Sequence, residues 1–74
     1  MTATVWTKPG CPFCDMAKNL LEQKGIEYEE KNLGNGYTRE QLLEAVPTAK
    51  TVPQIFIDGE YIGTFEHLKK HFSV

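Results

Sequence analysis

The strongest constraint on the fold of this chain is a sharp break near its start, where Pro9-Gly10 ends one apolar segment and Pro12 opens the next. Residues 3–7 (Ala-Thr-Val-Trp-Thr) are typical of a short strand. Proline suits the first position of a helix, because the N–H that it lacks has no partner there anyway. The apolar residues that then recur at helical spacing are Met16, Ala17, Leu20 and Leu21. Gly25 is typical of the residue that ends a helix, so a strand, a tight loop and a helix are predicted.

The middle of the chain adds a second strand and a second helix. Residues 26–32 predict the strand, because apolar and acidic side chains alternate along them. Thr38 is a helix-capping residue, and Gln41 three positions later completes a capping-box pattern. The buried side of this helix is predicted to consist of Leu42, Leu43 and Val46. Pro47 ends or bends the helix.

The last third of the chain predicts a hairpin followed by a helix. Residues 54–57 form a third strand, and Asp58-Gly59 is a strong signal for a turn into a fourth strand at Tyr61-Ile62. Thr64 caps the last helix, whose buried residues are predicted to be Phe65, Leu68 and Phe72. The order β-α-β-α-β-β-α predicts an α/β fold, with a four-stranded mixed sheet flanked by three helices.

Size and charge narrow the classes of protein to consider. The 74 residues are enough for one domain over residues 1–74 and too few for two. The net charge is −2 and no basic cluster extends beyond Lys69 and Lys70, which argues against nucleic-acid binding. No apolar run approaches the ~20 residues of a membrane span, and residues 1–7 lack the features of a signal peptide. We therefore expect a cytoplasmic protein, and a monomer, since no large apolar surface stripe is left over.

Two cysteines stand where the first predicted strand gives way to the first predicted helix. Cys11 falls at or beside the N-cap, where unpaired N–H groups and the helix dipole favour the thiolate, and Lys8 adds positive charge. Cys14 lies one turn further on the same face, at a spacing that suits a disulfide. A disulfide across so short a loop stabilises little, so the pair serves chemistry or a metal. The motif predicts thiol–disulfide exchange, with Cys11 as the nucleophile and Cys14 as the resolving thiol.

Two other roles for the cysteines stay open. Cys11 and Cys14, together with His67 and His71, formally supply the two thiols and two imidazoles of a zinc site. The gap between the two pairs is far longer than the ~12–15 residues of a zinc finger, and both histidines are expected on the solvated side of the last helix. In the remaining alternative the thiols are core residues, which the loop-forming prolines disfavour.

Taken together, the motifs resemble those of the glutaredoxin family over nearly the whole chain. The blocks that carry the resemblance are Thr7-Lys8-Pro9-Gly10-Cys11-Pro12-Phe13-Cys14, Thr51-Val52-Pro53-Gln54-Ile55-Phe56-Ile57 and Tyr61-Ile62-Gly63. The first two blocks together are strongly specific. The short length and the Phe65-Glu66-His67-Leu68 ending look similar to compact phage-type glutaredoxins that reduce ribonucleotide reductase.

The resemblance implies a thioredoxin-like fold, glutathione as the reducing co-substrate and no tightly bound cofactor. It implies a cis peptide bond before Pro53, and Val52, with Thr51 beside it, would offer its backbone to the substrate. Lys8 would meet a carboxylate of glutathione, and Phe13 would flank the sulfur. The implied partners are glutathione and disulfide-containing proteins, ribonucleotide reductase among them.

The chain departs from the family in one segment. Many glutaredoxins have Gly-Gly-Cys-Asp-Asp where this chain has Gly63-Thr64-Phe65-Glu66-His67. The backbone N–H groups of Phe65 and Glu66 are still expected to hold the γ-glutamyl carboxylate of glutathione. The side-chain contacts that the family's aspartates provide are changed. We therefore expect this departure to affect the affinity for glutathione rather than catalysis.

Three alternatives remain to a glutathione-dependent enzyme, and the departure supports the first of them. A redoxin reduced mainly by thioredoxin reductase would tolerate a weak glutathione site. An iron–sulfur carrier is the second alternative, which Pro12 disfavours by analogy with the family. In the third, the cysteines are incidental to an interaction module. Arg39 and Gln41 are interpreted as first-turn residues of the second helix rather than as contacts to glutathione.

Overall fold

Seven elements follow one another in the order expected from the sequence. The structure, a computed structural model, describes residues 1–73. The elements are β1 (Thr2–Thr7), α1 (Pro12–Gln23), β2 (Glu27–Asn32), α2 (Arg39–Ala45), β3 (Gln54–Ile57), β4 (Glu60–Gly63) and α3 (Phe65–His71). The predicted order is confirmed, and the boundaries lie within a residue or two of their expected places, the usual uncertainty for helix ends.

The four strands form one mixed sheet in the spatial order β2-β1-β3-β4. β1 runs parallel to β2 and antiparallel to β3, and β3 is antiparallel to β4. Trp6, near the end of β1, pairs with Gln54 at the start of β3. This pairing brings the loop after β1 and the loop before β3 to the same edge of the sheet, which is where the site described below lies.

Helices on both faces of the sheet bury two clusters of apolar side chains. The larger cluster, covered by α1 and α3, consists of Ala3, Val5, Ala17, Leu20, Leu21, Ile26, Ile55, Ile57, Phe65 and Leu68. The smaller cluster, on the side of α2, consists of Trp6, Leu42, Val46 and Ala49. Neighbouring residues of β1 belong to different clusters because side chains alternate across a strand. The sheet therefore separates the two clusters.

Met16 does not join the core as the sequence predicted. Its side chain is 45% exposed, whereas Ala17, Leu20 and Leu21 are buried. Met16 instead lines a shallow groove between α1 and α3, together with Phe65. Met16 thus lies in an open groove between the two helices and not in the contact between them. The buried stripe of α1 is therefore narrower than its apolar sequence pattern.

The helices are short, and their caps follow the sequence signals. α1 has 12 residues, and Gly25 after it has a φ of +70°. The capping box of α2 forms as predicted: the Gln41 N–H donates to Thr38 Oγ1 at 3.2 Å, and the Thr38 N–H donates to Gln41 Oε1 at 2.8 Å. Within residues 1–73, none of the helices combines the length and the apolar character that crossing a membrane requires.

Candidate active site

The loop between β1 and α1 presents the two cysteines at one edge of the sheet. Cys11 and Cys14 are joined in a disulfide, and their Cα atoms are 5.3 Å apart. Cys11 is the N-cap of α1, and Pro12 occupies the first helical position. The Cys14 N–H donates to Cys11 Sγ at 3.2 Å. The sulfur of Cys11 thus takes the place that a hydroxyl or carboxylate oxygen takes in an ordinary helix cap.

This cap geometry distinguishes the two sulfurs. In the reduced protein, the same N–H group and the positive end of the helix dipole lie against Cys11 Sγ and favour its thiolate. Cys11 lies at the loop and is 7% exposed, whereas Cys14 lies inside the first turn and is 1% exposed. The arrangement therefore suits attack on a disulfide by Cys11, followed by displacement from within by Cys14.

The loop before β3 lies against Cys11. The carbonyl oxygen of Val52 is 3.8 Å from Cys11 Sγ. The Val52–Pro53 peptide bond is cis, as the resemblance implied. Val52 therefore places its carbonyl oxygen beside the more exposed of the two sulfurs.

Two residues with no role predicted from the sequence, Gln54 and Tyr61, hold this loop in place through hydrogen bonds. Gln54 is 3% exposed, and its Nε2 donates to the Thr51 carbonyl oxygen at 2.8 Å. The Tyr61 hydroxyl donates to Gln54 Oε1 at 2.6 Å. Both ends of a buried amide are therefore satisfied, as buried polar groups require. The available signal was a polar residue at the start of the otherwise apolar strand at residues 54–57.

A groove opens beside the disulfide, between the loop before β3 and the start of α3. Its lining residues are Phe13, Thr51, Val52, Pro53, Thr64, Phe65 and Glu66. The predicted glutathione residues other than Lys8 therefore meet in one place. The ring centroids of Phe13 and Phe65 are 6.1 Å apart, and Phe13 is 54% exposed. This pair gives the groove an apolar wall next to the reactive sulfur.

Lys8 lies in an adjoining cavity rather than in the groove itself. The residues that line this cavity are Lys8, Arg39, Leu42, Leu43, Ala49, Lys50, Thr51 and Val52. Thr51 and Val52 thus belong to both depressions. Among residues 1–73, no carboxylate is paired with any of the cavity's three cations. Arg39 begins α2 and Lys50 lies in the loop that follows this helix. Neither was expected beside Lys8, because no local pattern shows how this part of the chain packs.

An ionic network ties the end of β1 to α1 and β2 beneath the cysteine loop. The hydroxyl of Thr7, which is fully buried, donates to Glu30 Oε2 at 2.7 Å. Lys18 Nζ lies 3.1 Å from the same oxygen and 3.5 Å from Asp15 Oδ1. The Thr7 hydrogen bond is the main reason that the pKa of the Glu30 carboxyl lies below its ordinary value. The hydrogen bond to Glu30 likewise raises the pKa of Lys18.

The zinc ligand set considered from the sequence has no support in the geometry. In the part of the chain that the structure describes, no three His, Cys, Asp or Glu side chains converge as metal ligands would. His67 instead accepts a hydrogen bond from the Thr64 N–H through Nδ1 at 3.1 Å. His71 packs edge-on against Phe72, with ring centroids 5.1 Å apart. Both histidines are exposed, as expected for the solvated side of α3.

Comparison with known sequences identifies relatives over most of the chain. The sequence model of the Glutaredoxin family matches residues 3–62. Glutaredoxin 3 of Escherichia coli is 42% identical over 65 residues, which are 86% of this chain and 77% of that protein. The hybrid peroxiredoxin hyPrx5 of Haemophilus influenzae is 47% identical over 70 residues. This match covers 95% of the present chain but spans only 29% of the length of hyPrx5.

Solved structures give the same result for the fold. Glutaredoxin 1 of Francisella tularensis, in complex with cacodylate, superposes with a TM-score of 0.83 at 32% identity, over 97% of this chain and 92% of that one. A buckwheat glutaredoxin–glutathione complex gives 0.79 at 29% identity, over 96% and 68%. The thioredoxin-like fold is therefore confirmed. With its cysteine pair at residues 11 and 14, the chain belongs to the glutaredoxin family and is a dithiol oxidoreductase of that family.

Proposed function

We propose that this protein reduces disulfides of proteins and of glutathione adducts through Cys11 and Cys14, and that glutathione regenerates it. The observation that carries the proposal is the groove beside Cys11, in which most of the residues implied for glutathione come together. A tripeptide thiol needs an apolar contact for its cysteine and polar groups for its charged ends. The groove and the adjoining cationic cavity offer both.

The reaction begins when the Cys11 thiolate attacks one sulfur of the substrate disulfide, and the other sulfur leaves as a thiolate. Cys14 then gives up its proton, attacks Cys11 Sγ and releases the second substrate thiol, which leaves the Cys11–Cys14 disulfide. One glutathione thiolate opens this disulfide at Cys11, and a second attacks the resulting mixed disulfide. The second step yields glutathione disulfide, so two electrons pass from two glutathione molecules to one substrate.

Each part of glutathione has a suitable place in this arrangement. The cysteinyl sulfur would meet Cys11 next to Phe13, and the backbone of Val52 would pair with the cysteinyl backbone as a neighbouring strand does. The glycine carboxylate would lie towards Lys8 and Arg39. The γ-glutamyl end would lie at the other end of the groove, where the N–H groups of Phe65 and Glu66 begin α3.

Relatives support these assignments and suggest protein substrates. The buckwheat glutaredoxin of similar structure is solved as a complex with glutathione. Among protein partners, ribonucleotide reductase is proposed from the resemblance to compact glutaredoxins. A peroxiredoxin is a second candidate, because a hybrid peroxiredoxin contains a segment that is 47% identical to this chain.

The proposal predicts that Cys11→Ser abolishes turnover, because serine is too weak a nucleophile at neutral pH. The assay follows NADPH consumption in the presence of glutathione, glutathione reductase and a glutathionylated peptide. Cys14→Ser is the matched variant, since it removes the resolving thiol and leaves the nucleophile. It should accumulate a mixed disulfide at Cys11 when an intramolecular protein disulfide is the substrate, which mass spectrometry detects.

Two outcomes would contradict the proposal. Turnover by folded Cys11→Ser at the wild-type rate would exclude Cys11 as the nucleophile. Absence of turnover with glutathione, from folded wild-type protein with both thiols free, would exclude glutathione as the reductant. NADPH consumption with thioredoxin reductase in place of glutathione would then favour the alternative donor.

A further inference from the structure

An imidazole closes the turn between β4 and α3. The Thr64 N–H donates to His67 Nδ1 at 3.1 Å, and the Thr64 hydroxyl oxygen lies 3.1 Å from the same nitrogen. Thr64 is the N-cap of α3 and His67 is three positions later. A glutamate or glutamine ordinarily fills this position and accepts the N-cap N–H. In this chain an imidazole nitrogen does so.

The ring and the turn fit one another closely. Gly63 has a φ of +121°, a conformation that residues with a side chain rarely adopt. A Cβ atom at residue 63 would lie 2.6 Å from His67 Nδ1 and 2.8 Å from Cγ. The imidazole therefore packs directly over the backbone of Gly63. It holds both residues of the turn, one by packing and the other by a hydrogen bond.

The same turn leads into one wall of the groove beside Cys11. Thr64, Phe65 and Glu66 form this wall, and Val52 and Pro53 lie opposite. His67 does not line the groove. It therefore acts on the groove through the residues that it holds in place, not by touching a ligand.

We propose that His67 is a positioning residue for the groove, and that only its neutral imidazole fulfils this role. Protonation of Nδ1 removes the lone pair that accepts the Thr64 N–H, so the wall loses its fixed geometry. The consequence is that the γ-glutamyl part of glutathione binds less tightly in acid. This inference rests on the proposed function, because it concerns the ligand of that same groove.

The charges around His67 do not set the sign of this effect. On α3 itself, Glu66 is 3.4 Å from Lys69, and Lys70 and His71 lie on the following turn. In the turn between β4 and α3, His67 meets the uncharged Gly63 and Thr64, and Val52 and Pro53 across the groove are also uncharged. An imidazolium in the first turn of a helix is unfavourable. Because the γ-glutamyl group carries both an ammonium and a carboxylate, added positive charge repels one as it attracts the other. The lost geometry therefore determines the sign.

The test measures the Kd of S-methylglutathione, which has no thiol to titrate, by calorimetry with the full reduced chain. Histidine is the side chain that ordinarily changes charge between about pH 5 and 8, so we compare about pH 5.5 with about pH 7.5. Wild-type protein should bind about three- to fivefold more weakly at the lower pH, the size expected for loss of one cap. His67→Gln, whose amide accepts at both pH values, should bind equally well at both.

Two further variants complete the design. His71→Gln is the matched control, because it removes the other histidine of α3 and should keep the pH dependence of the wild type. His67→Ala lacks any acceptor, so it should bind weakly at both pH values. In the coupled assay, the KM for glutathione of the wild type is divided by that of His67→Gln. This ratio should rise in acid, whereas the same ratio of the two kcat values should stay constant. Taking this ratio cancels the titration of the reacting thiols.

The possible failures are distinguishable. If His67→Gln keeps the pH dependence of the wild type, or if His71→Gln loses it, the inference is wrong and the proposed function stands. If His67→Ala binds like wild type at pH 7.5, the inference is also wrong. If wild-type protein neither binds S-methylglutathione nor turns over with glutathione at pH 7.5, the proposed function fails and the inference fails with it.

Discussion

Glu30 shows how one carboxylate joins three elements beneath the cysteine loop. It accepts from Thr7 of β1 and from Lys18 of α1 while lying in β2 itself. Because these partners lower the folded-state pKa of Glu30 from 4.5, the ionised carboxylate stabilises the folded state. This contribution is fully present above about pH 4.5, the unfolded-state value, and is lost as the pH falls through the lower folded-state pKa.

Replacing Glu30 by Gln should therefore lower the free energy of unfolding by about 1 kcal/mol at pH 7. The estimate is a modest one because the Glu30 side chain is 32% exposed and its charge is partly screened. The difference from wild type should shrink as the pH falls below about 4.5 and through the lower folded-state pKa of Glu30. Urea unfolding at several pH values measures both quantities.

Glu29→Gln is the matched control for this prediction. Its side chain is 63% exposed and its nearest cation, Lys31, is 3.9 Å away. Such surface pairs contribute little, so the loss should be below about 0.5 kcal/mol. Equal losses for the two variants, or a Glu30→Gln effect that persists unchanged in acid, would show that the network does not act through ionised Glu30.

At the scale of one element, the turn between β4 and α3 depends on a residue without a side chain. Gly63→Ala should cost about 2 kcal/mol or more in unfolding free energy, because a positive φ and a clash with His67 add together. Gly36→Ala measures the cost of the positive φ alone, since Gly36 has a φ of +97° and a Cβ atom added there would have no atom near it. Urea unfolding of both variants and of Gly63→Ala/His67→Ala measures the two contributions.

The double variant tests directly whether the imidazole of His67 clashes with a side chain at residue 63. If the clash with the imidazole is real, removing His67 should relieve it, so the double variant should lose less than the sum of its single losses. Additive losses, or equal costs at Gly63 and Gly36, would contradict the close packing of ring and turn.

At the scale of the whole molecule, the two faces of the sheet should differ in stability. The cluster under α1 and α3 is the larger, whereas α2 covers the smaller one with seven residues. Elements that bury less apolar surface open at a lower free energy. Native-state hydrogen exchange should therefore show Leu42 and Val46 exchanging through partial opening, while Leu20 and Leu21 exchange only on global unfolding. Identical opening free energies for the two pairs would contradict this.

The element order could be predicted because its signals are local. Pro12 and Gly25 delimit α1, and the capping pair of Thr38 and Gln41 marks the start of α2. The exposure of Met16 could not be predicted, because it depends on how α1 and α3 pack against each other. Local patterns specify where an element begins, and tertiary packing determines which of its residues are covered.

The features of the site also fall into those that local sequence patterns predict and those that depend on tertiary packing. The N-cap position of Cys11 follows from the strand and helix signals on either side of it. The cavity that joins Lys8, Arg39 and Lys50 depends on how α2 and the loop after it pack, and no local pattern reports that. The role of His67 in capping was missed because the known pattern ends in glutamate or glutamine, and an imidazole is an unusual substitute.

The order of strands also has a consequence for the behaviour of concentrated samples. β2 and β4 are the outer strands, so each leaves backbone donors and acceptors unpaired along one side. β2 carries Glu27, Glu29, Glu30 and Lys31 within six residues, so a second copy laid alongside would bring like charges together. β4 is only four residues long, and its pairing with β3 has an irregularity. Both margins of the sheet therefore resist the strand-by-strand stacking through which small domains form aggregates.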